Sequence, residues 1–336
     1  MSVTTRIQEL NNRLATNLVS KGVSAEGTET TTELINKVND IESGGTSVIN
    51  PEWTDWRYFS YYNNRNDLVA KLKYSDTANG TDFSNMFYYC TSLTSIPQLS
   101  TSNGKNFSFM FYSCTALTSI PQLDTSNGTD FNRMFLSCTK LHTIPLLNMS
   151  NGKNFSQMFN GCYALTSIPQ LDISNGTDFS GMFNSCTALT SIPQLDTSNG
   201  KNFSFMFYNC TALTSIPQLD TSNGTNFGYM FNGCRALTTI PLLNMSNVSG
   251  TSWSNMFYNC TALENVTFEG TIPVRGNMSV FSYSNKLTVK SLMSFINALT
   301  NMSDTATYTI TIGSTNLAKL TEEQIQIATD KRITLQ

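Results

Sequence analysis

Apolar positions recur with a period of 24 residues through most of the chain, with polar residues between them. In one copy the apolar positions are Phe203, Met206, Phe207, Cys210 and Leu213. They lie 3, 4, 7 and 10 residues after the phenylalanine, which places them on one face of a helix. Asp or Asn precedes each first phenylalanine, as an N-cap requires. The pattern therefore predicts a short amphipathic helix in every repeat.

The second half of each repeat predicts a short strand and a turn. Residues 213–216 favour a strand, which Pro217 ends because proline has no N–H to donate to a ladder. The Asp-Thr-Ser-Asn-Gly sequence that follows contains residues that favour tight turns. One such unit cannot bury its own apolar face, whereas stacked copies can. The sequence therefore predicts an α/β repeat solenoid of 24-residue coils, each a short helix plus a short parallel strand.

Eight cysteines share one position of this repeat. Stacked coils would place them in a column with neighbours about 4.8 Å apart, the distance between adjacent strands. That distance permits disulfides. The N-terminus has no apolar signal sequence, however, and the position faces inward, so we expect reduced thiols that pack as small apolar side chains. This predicted structural ladder comprises Cys90, Cys114, Cys138, Cys162, Cys186, Cys210, Cys234 and Cys260.

The pattern divides the chain into four segments. Residues 1–44 predict two short helices, which form either an oligomerisation or attachment segment or a hairpin packed on the solenoid. Residues 45–78 are expected to form a linker, an aromatic N-terminal cap and a degenerate coil. Residues 79–270 contain the eight cysteine coils. Residues 271–336 predict another degenerate coil and a small α/β cap, with a capping box at Thr321 that begins the last helix.

Charge and composition restrict the partners. The 336 residues include 20 Lys plus Arg and 23 Asp plus Glu, and only 13% of the chain is charged. Nucleic acids and anionic membranes bind concentrated basic patches, which this balance does not favour. The sequence also lacks a run of about 18 apolar residues, the length that a membrane span needs. We therefore expect no nucleic-acid partner and no membrane insertion.

The titratable residues give little support for catalysis. His142 is the only histidine, and it occupies a position where other repeats have threonine. A catalytic base has to stand beside a nucleophile or a carboxylate, and one isolated histidine in a repeat does not predict this. The turn carboxylates predict either Asx turns or a stacked calcium site; they are Asp124, Asp172, Asp196 and Asp220. The sequence thus predicts a non-enzymatic protein with no cofactor and no catalytic metal.

Aromatic residues at two positions outside the apolar stripe are candidates for binding. Such residues among Asn, Ser and Thr suit stacking on sugar rings or contact with a protein. They could equally contact the neighbouring coil, and the strand-side Thr and Ser residues form a second candidate surface. The candidate receptor-contact residues are Phe109, Tyr112, Arg133, Phe205, Tyr208 and Tyr229.

The run MFYNCTALTSIPQLDTSN resembles the BspA-type leucine-rich repeats of bacterial surface proteins, in which MF-x-x-C-x-x-L precedes a short strand. This resemblance covers about residues 79–270. The first 38 residues resemble the N-termini of tail-fibre and minor structural proteins of phages and prophages, and residues 309–335 resemble the ends of phage-encoded repeat proteins. The resemblance implies a tail-fibre or baseplate appendage with its helical N-terminus toward the particle and its repeats toward the host.

Such an appendage would have several partners. The resemblance implies other tail or baseplate proteins at the N-terminal helices, a glycan or protein on the host surface, and a homo-oligomer, for example a trimer. The location would be the virion, after synthesis in the host cytoplasm. Two alternatives remain at this point. One is a bacterial cell-surface adhesin with the same repeats, and the other is a fibre-borne polysaccharide depolymerase, which would need a pair of carboxylates in a cleft.

Overall fold

The computed structural model of this chain describes residues 59, 69, 72–301 and 306–336. The chain divides into two units, Met1–Trp53 and Thr54–Gln336, and every described residue belongs to the second. The predicted N-terminal helices, the linker and most of the aromatic cap lie outside the described residues.

The repeats stack as coils of a solenoid, as the sequence predicts, and their apolar side chains form continuous columns. One column of phenylalanine rings extends from Phe83 to Phe227, with centroids of successive rings 5.4–5.8 Å apart. A second column extends from Phe87 to Phe281 with spacings of 5.2–5.7 Å. The Met, Cys and Leu positions of the pattern are buried beside them. Stacking thus gives each coil the apolar partner that it cannot provide for itself.

The short helix predicted in each repeat is wrong, because a run of turns takes its place. In an α-helix each interior N–H bonds four residues back in the same segment. Here the N–H of Phe83 donates to the carbonyl of Asn106 in the next coil at 2.9 Å, whereas the N–H of Met86 closes a turn onto Phe83 at 3.2 Å. The alternation continues to Tyr89, which donates to Tyr112 at 2.8 Å. Half of these N–H groups therefore bind the next coil instead of forming a helix.

Two residues of every such run have left-handed backbone conformations. In the first coil they are Asn85 and Tyr89, with φ values of 59° and 60°. L-residues visit this region singly and do not continue a right-handed helix through it. The run of turns still returns a side chain to the interior every three or four residues. For this reason the apolar spacing resembles that of a helix, and the predicted inward positions are buried.

The predicted N-caps keep part of their role. Asp82 Oδ1 accepts a hydrogen bond from the N–H of Ser84 at 3.0 Å, and Asn106 Oδ1 accepts one from Ser108 at the same distance. The same Asp and Asn positions pair between coils as parallel β-bridges, from Asp82 with Asn106 onwards. They thus begin the run of turns and connect successive coils.

Among the described coils a regular strand forms in two, and in the first of them it continues through Pro241, which the sequence predicts to end it. Strand β1 (Thr239–Asn244) pairs in parallel with β2 (Asn265–Glu269). In the earlier described coils the same segment is extended with few backbone bonds between coils, since each contains a proline without an N–H. A glutamine side chain provides a bond at this point instead. For example, Gln194 Nε2 donates to the carbonyl of Gln218 at 2.6 Å.

A small α/β cap follows the coils, as predicted. Its elements are β3 (Met278–Ser279), α1 (Val289–Ala298), β4 (Tyr308–Thr311), α2 (Ser314–Leu317), α3 (Glu322–Asp330) and β5 (Ile333–Leu335). The three strands form a parallel sheet in chain order. The capping box at Thr321 is present, with Gln324 N–H donating to its Oγ1 at 3.3 Å. Among the described helices, none combines the length and apolar character that crossing a bilayer would require.

Candidate binding surfaces

The eight cysteines form an internal column of buried thiols. From the second coil onward, each Sγ donates to a phenylalanine carbonyl of the preceding coil, such as Cys162 to Phe135 at 3.1 Å. Burial raises the pKa of the seven thiols from Cys114 to Cys260, and it brings those of Cys210 and Cys260 to about 12. Since a thiolate is the reactive form, these side chains are inert at neutral pH and act in packing.

The candidate receptor-contact residues fall into two clusters on one surface, which we call the aromatic face. Its members are Tyr88, Tyr89, Phe109, Tyr112, Arg133, Phe205, Tyr208 and Tyr229. The rings of Tyr88 and Tyr112 stack with centroids 4.6 Å apart, and those of Phe205 and Tyr229 stack at 4.8 Å. Arg133 lies over the Phe109 ring at 5.2 Å. Each cluster therefore joins neighbouring coils.

Stacking between coils reduces the ring surface that the aromatic face exposes to a ligand. A sugar ring stacks on the flat face of an aromatic ring, and in these pairs one or both flat faces lie against another side chain. The Arg133 guanidinium is occupied as well, because its Nε donates to Gln157 Oε1 at 2.7 Å. Tyr89 and Phe205 are still 51% and 39% exposed, so part of the aromatic face remains for a partner. The contact with the neighbouring coil, one of the two interpretations of these residues, is present.

A groove lies along the Pro-Gln-Leu-Asp segments of the coils. It consists of two adjoining cavities of about 680 Å³ and 610 Å³, which share Gln170. We call it the Gln–Asp groove after its two rows of side chains. The first row comprises Gln98, Gln122, Gln170, Gln194 and Gln218, and the second comprises Asp124, Asp172, Asp196 and Asp220.

Three apolar side chains are exposed along the Gln–Asp groove. Tyr74 and Leu146 are each 58% exposed, and Leu242 is 38% exposed. The two leucines occupy the position that has glutamine in the other coils, and they are 96 residues, or four coils, apart. The groove therefore combines polar rows with regularly placed apolar contacts.

The carboxylates of the groove form Asx turns, one of the two expectations for them. Asp172 Oδ1 accepts hydrogen bonds from the N–H and Oγ of Ser174 at 3.2 and 2.7 Å. Equivalent hydrogen bonds lower the pKa of Asp124 and Asp196, and the largest effect comes from the side chains of Ser126 and Ser198. Asp124 and Asp196 are consequently ionised at neutral pH. Among residues 72–301 and 306–336, no group of three His, Cys, Asp or Glu side chains is placed to hold a metal ion.

The glutamine row was missed by the sequence analysis, although a signal for it exists. Glutamine follows proline in five of seven repeats, and Leu146 and Leu242 interrupt the row. His142, the one histidine, is an exposed residue of the extended segment, and its backbone N–H donates to Thr118 at 3.2 Å. Nothing in its surroundings adds to the weak case for a base.

Comparison with known proteins identifies a family. The family described as "Mycoplasma protein of unknown function, DUF285" matches at residues 57–169, 153–271 and 177–295. No curated protein sequence matches the chain. Among solved structures, a leucine-rich repeat protein of T. pallidum is similar at 18% identity and a TM-score of 0.37, covering 63% of this chain and 86% of that one.

Two further solved structures are similar at lower TM-scores. A leucine-rich cell surface protein of Faecalibacterium prausnitzii has 19% identity and a TM-score of 0.28, over 63% of this chain and 76% of that chain. A leucine-rich-repeat protein of Bacteroides ovatus has 14% identity and a TM-score of 0.18, over 76% and 87%. Likenesses of this size carry no information about ligands.

The family matches agree with the repeat pattern and the stacked coils. Together they span residues 57–295, well over half of the 336-residue chain. They support the BspA-type leucine-rich-repeat assignment that the motif MF-x-x-C-x-x-L predicts. This chain belongs to the DUF285 family.

Proposed function

We propose that this chain is a non-enzymatic recognition protein whose solenoid contacts a partner on a host-cell surface. The observation that carries the proposal is the Gln–Asp groove, which extends across the coils from Gln98 to Leu242. Solenoids provide long surfaces of this kind because each repeat adds one strip of side chains to the same side. The buried columns fix the coils, and the groove is left for a partner.

The chemistry of the described groove supports binding over catalysis. A glycosidase would need a general acid whose pKa is raised by its surroundings. In the groove the pKa of Asp124 and Asp196 is lowered by serine hydrogen bonds instead. The thiols are buried and protonated, so they offer no accessible nucleophile. A depolymerase is therefore not favoured.

For the setting of this recognition, we propose a phage tail fibre or baseplate appendage. The resemblance of both ends of the chain to phage tail and repeat proteins supports it. In this arrangement residues 1–44 attach the chain to other virion proteins and assemble its copies, and the solenoid faces the host. The BspA-type repeats favour a second candidate, an adhesin on a bacterial cell surface.

Immunogold electron microscopy of intact particles and of producer cells separates the two settings. The appendage proposal expects gold at the tail or baseplate of virions. Gold on cell envelopes, with none on particles, would replace it by the adhesin. Recognition itself is tested by saturable binding of the labelled full chain to intact host cells. Absence of saturable binding in either setting would contradict a recognition role.

A further inference from the structure

We propose that the Gln–Asp groove binds an extended protein segment that carries lysine or arginine side chains. This inference rests on the proposed function and names the class of partner. It follows from the shape of the groove, the hydrogen-bonding groups that line it, its charge, and its exposed apolar side chains.

The shape of the groove fits a linear occupant. Its two cavities meet at Gln170, and similar side chains recur once per coil on either side. Six repeats of 24 residues separate the ends of the row, Gln98 and Leu242. At about 4.8 Å per coil this distance is roughly 30 Å, the length of about nine residues of extended chain. A compact small molecule would use only a fraction of it.

The lining offers hydrogen-bond acceptors. Gln122 Nε2 donates to the carbonyls of Leu123 and Leu146 at 3.2 and 2.6 Å. Gln194 Nε2 does the same with Leu195 and Gln218 at 3.3 and 2.6 Å. With both amide hydrogens engaged, each such glutamine has only its Oε1 acceptor left for a partner. At these glutamines an occupant therefore has to donate hydrogen bonds.

The charge of the groove selects a cationic donor. The lining contains the four aspartates of the second row and Glu269. None of the described lining residues is Lys, Arg or His. At Asp196 both serine hydrogen bonds reach Oδ1, so neither of them uses Oδ2. Ammonium and guanidinium groups are the protein donors that carry the complementary charge.

The exposed apolar side chains favour a protein segment over a glycan. Leu146 and Leu242 can pack against the aliphatic stems of lysine or arginine, which bury their methylene groups on apolar surface. A neutral glycan would leave the carboxylates without a counter-charge. Among the described lining residues Tyr74 is the only aromatic one, so a glycan would have a single ring to stack on, at one end of the groove. Nucleic acid would be repelled by the same carboxylates.

Fluorescence anisotropy with the full chain tests this proposal. The probe is a fluorescein-labelled nine-residue peptide of alternating lysine and serine, and a glutamate–serine peptide and a neutral oligosaccharide serve as comparison probes. We expect saturable binding of the lysine peptide that weakens as salt is raised, because exposed charge pairs are screened. Equal binding of the glutamate peptide or of the oligosaccharide would overturn the assignment, and so would failure of the lysine peptide to bind.

A matched pair of triple variants locates the binding. The groove variant is Asp172→Asn with Asp196→Asn and Asp220→Asn. Asparagine already forms this Asx turn at Asn148, whose Oδ1 accepts from Ser150 at 3.1 Å, so the fold is preserved. The control removes three charges away from the groove, by Asp82→Asn, Asp130→Asn and Asp178→Asn, at a position where alternate coils already have asparagine.

We expect the groove variant to bind the lysine peptide roughly tenfold more weakly, as the loss of several exposed charge pairs implies. The control should change the affinity less than about twofold, by the same reasoning. Equal losses in both variants would mean attraction by net charge alone and would overturn the inference. The double variant Leu146→Gln with Leu242→Gln introduces the residue that the other coils have, and it should also weaken binding of the lysine peptide. An unchanged affinity would show that the two leucines do not contact the peptide.

Failure of the inference can be distinguished from failure of the proposed function. If the full chain binds host cells saturably but the lysine peptide does not bind, recognition stands and the groove assignment is wrong. If the chain binds neither, the recognition role falls together with the inference.

Discussion

At the scale of single residues, glycine in the Asn-Gly turn makes room for the phenylalanine column. A Cβ built on Gly176 would lie 2.4 Å from Phe179 Cζ and 2.9 Å from the carbonyl of Ile173. The equivalent glycines have similar contacts in five other coils; they are Gly104, Gly128, Gly152, Gly200 and Gly224. The ring three residues later thus lies in the space that any other side chain would fill.

We therefore expect Gly176→Ala to lower the free energy of unfolding by about 1–3 kcal/mol, the cost of overpacking a core. Gly276→Ala is the control, because its Cβ would meet only Thr251 Cγ2 at 3.7 Å. Urea denaturation of both variants measures the difference. Equal stability of the two variants would show that the ring moves aside without cost.

The cysteine column makes a second prediction at this scale. All eight thiols are buried, so alkylating reagent should not modify the native protein and should modify all eight cysteines after denaturation. Mass spectrometry of the labelled protein counts the reacted thiols. Rapid labelling in the native state, or unreactive cysteines after unfolding, would contradict the buried thiol ladder. Ser284 occupies the position 24 residues after Cys260, and its Oγ donates to the carbonyl of Phe257 at 2.5 Å, as each Sγ from Cys114 onward donates to a phenylalanine carbonyl.

The Asx turns give a pH dependence whose sign follows from the pKa shifts. Hydrogen bonds from Ser198 lower the pKa of Asp196. This turn therefore stabilises the fold fully at pH values above the ordinary aspartate pKa, and the stabilisation is lost as the pH falls through the lowered pKa. Ser198→Ala should raise the Asp196 pKa toward its ordinary value. NMR titration of the carboxyl carbon measures it, with Ser174→Ala as a control that leaves Asp196 alone. An unchanged Asp196 pKa would refute the assignment of the serine bonds as the cause.

At the scale of elements, the sequence predicts which side chains are buried better than it predicts backbone conformation. The positions of Phe, Met, Cys and Leu identify the interior correctly because burial depends on the spacing of apolar residues. The prediction of a helix was wrong because the inward side chains of a run of turns have nearly the same spacing along the chain as those of a helix. The distinguishing feature of the run of turns, bonds between Phe83 and Asn106 or their equivalents, joins residues 23 positions apart and is not visible in a local pattern.

The groove could not be predicted for a related reason. The glutamine side chains act across coils, since Gln218 Nε2 donates to the carbonyl of Leu242, and sequence alone suggests only a polar residue after a proline. The sequence predicts that these aromatic residues lie outside the apolar stripe, but their stacking on neighbouring coils depends on the register of the solenoid. The C-terminal cap was predictable because its signals, such as the capping box at Thr321, are local.

At the scale of the whole described solenoid, charge is arranged differently on its two polar sides. From Asp82 to Asn202 the residue before the first phenylalanine alternates between Asp and Asn, and Asn226 follows, so that Asp82, Asp130 and Asp178 are never in adjacent coils. In the Gln–Asp groove, by contrast, Asp172, Asp196 and Asp220 occupy three successive coils. Stacked like charges cost stability unless a partner neutralises them. This contrast is consistent with a groove that meets a cationic partner.

The most direct measurement of the recognition role is binding of the labelled full chain to intact host cells, measured by flow cytometry together with the two triple variants. We expect saturable binding by the unmodified chain and by the control with Asp82, Asp130 and Asp178 replaced. The variant with Asp172, Asp196 and Asp220 replaced should bind markedly less. If the unmodified chain does not bind saturably, or if all three proteins bind alike, the groove is not the surface through which this protein recognises its host.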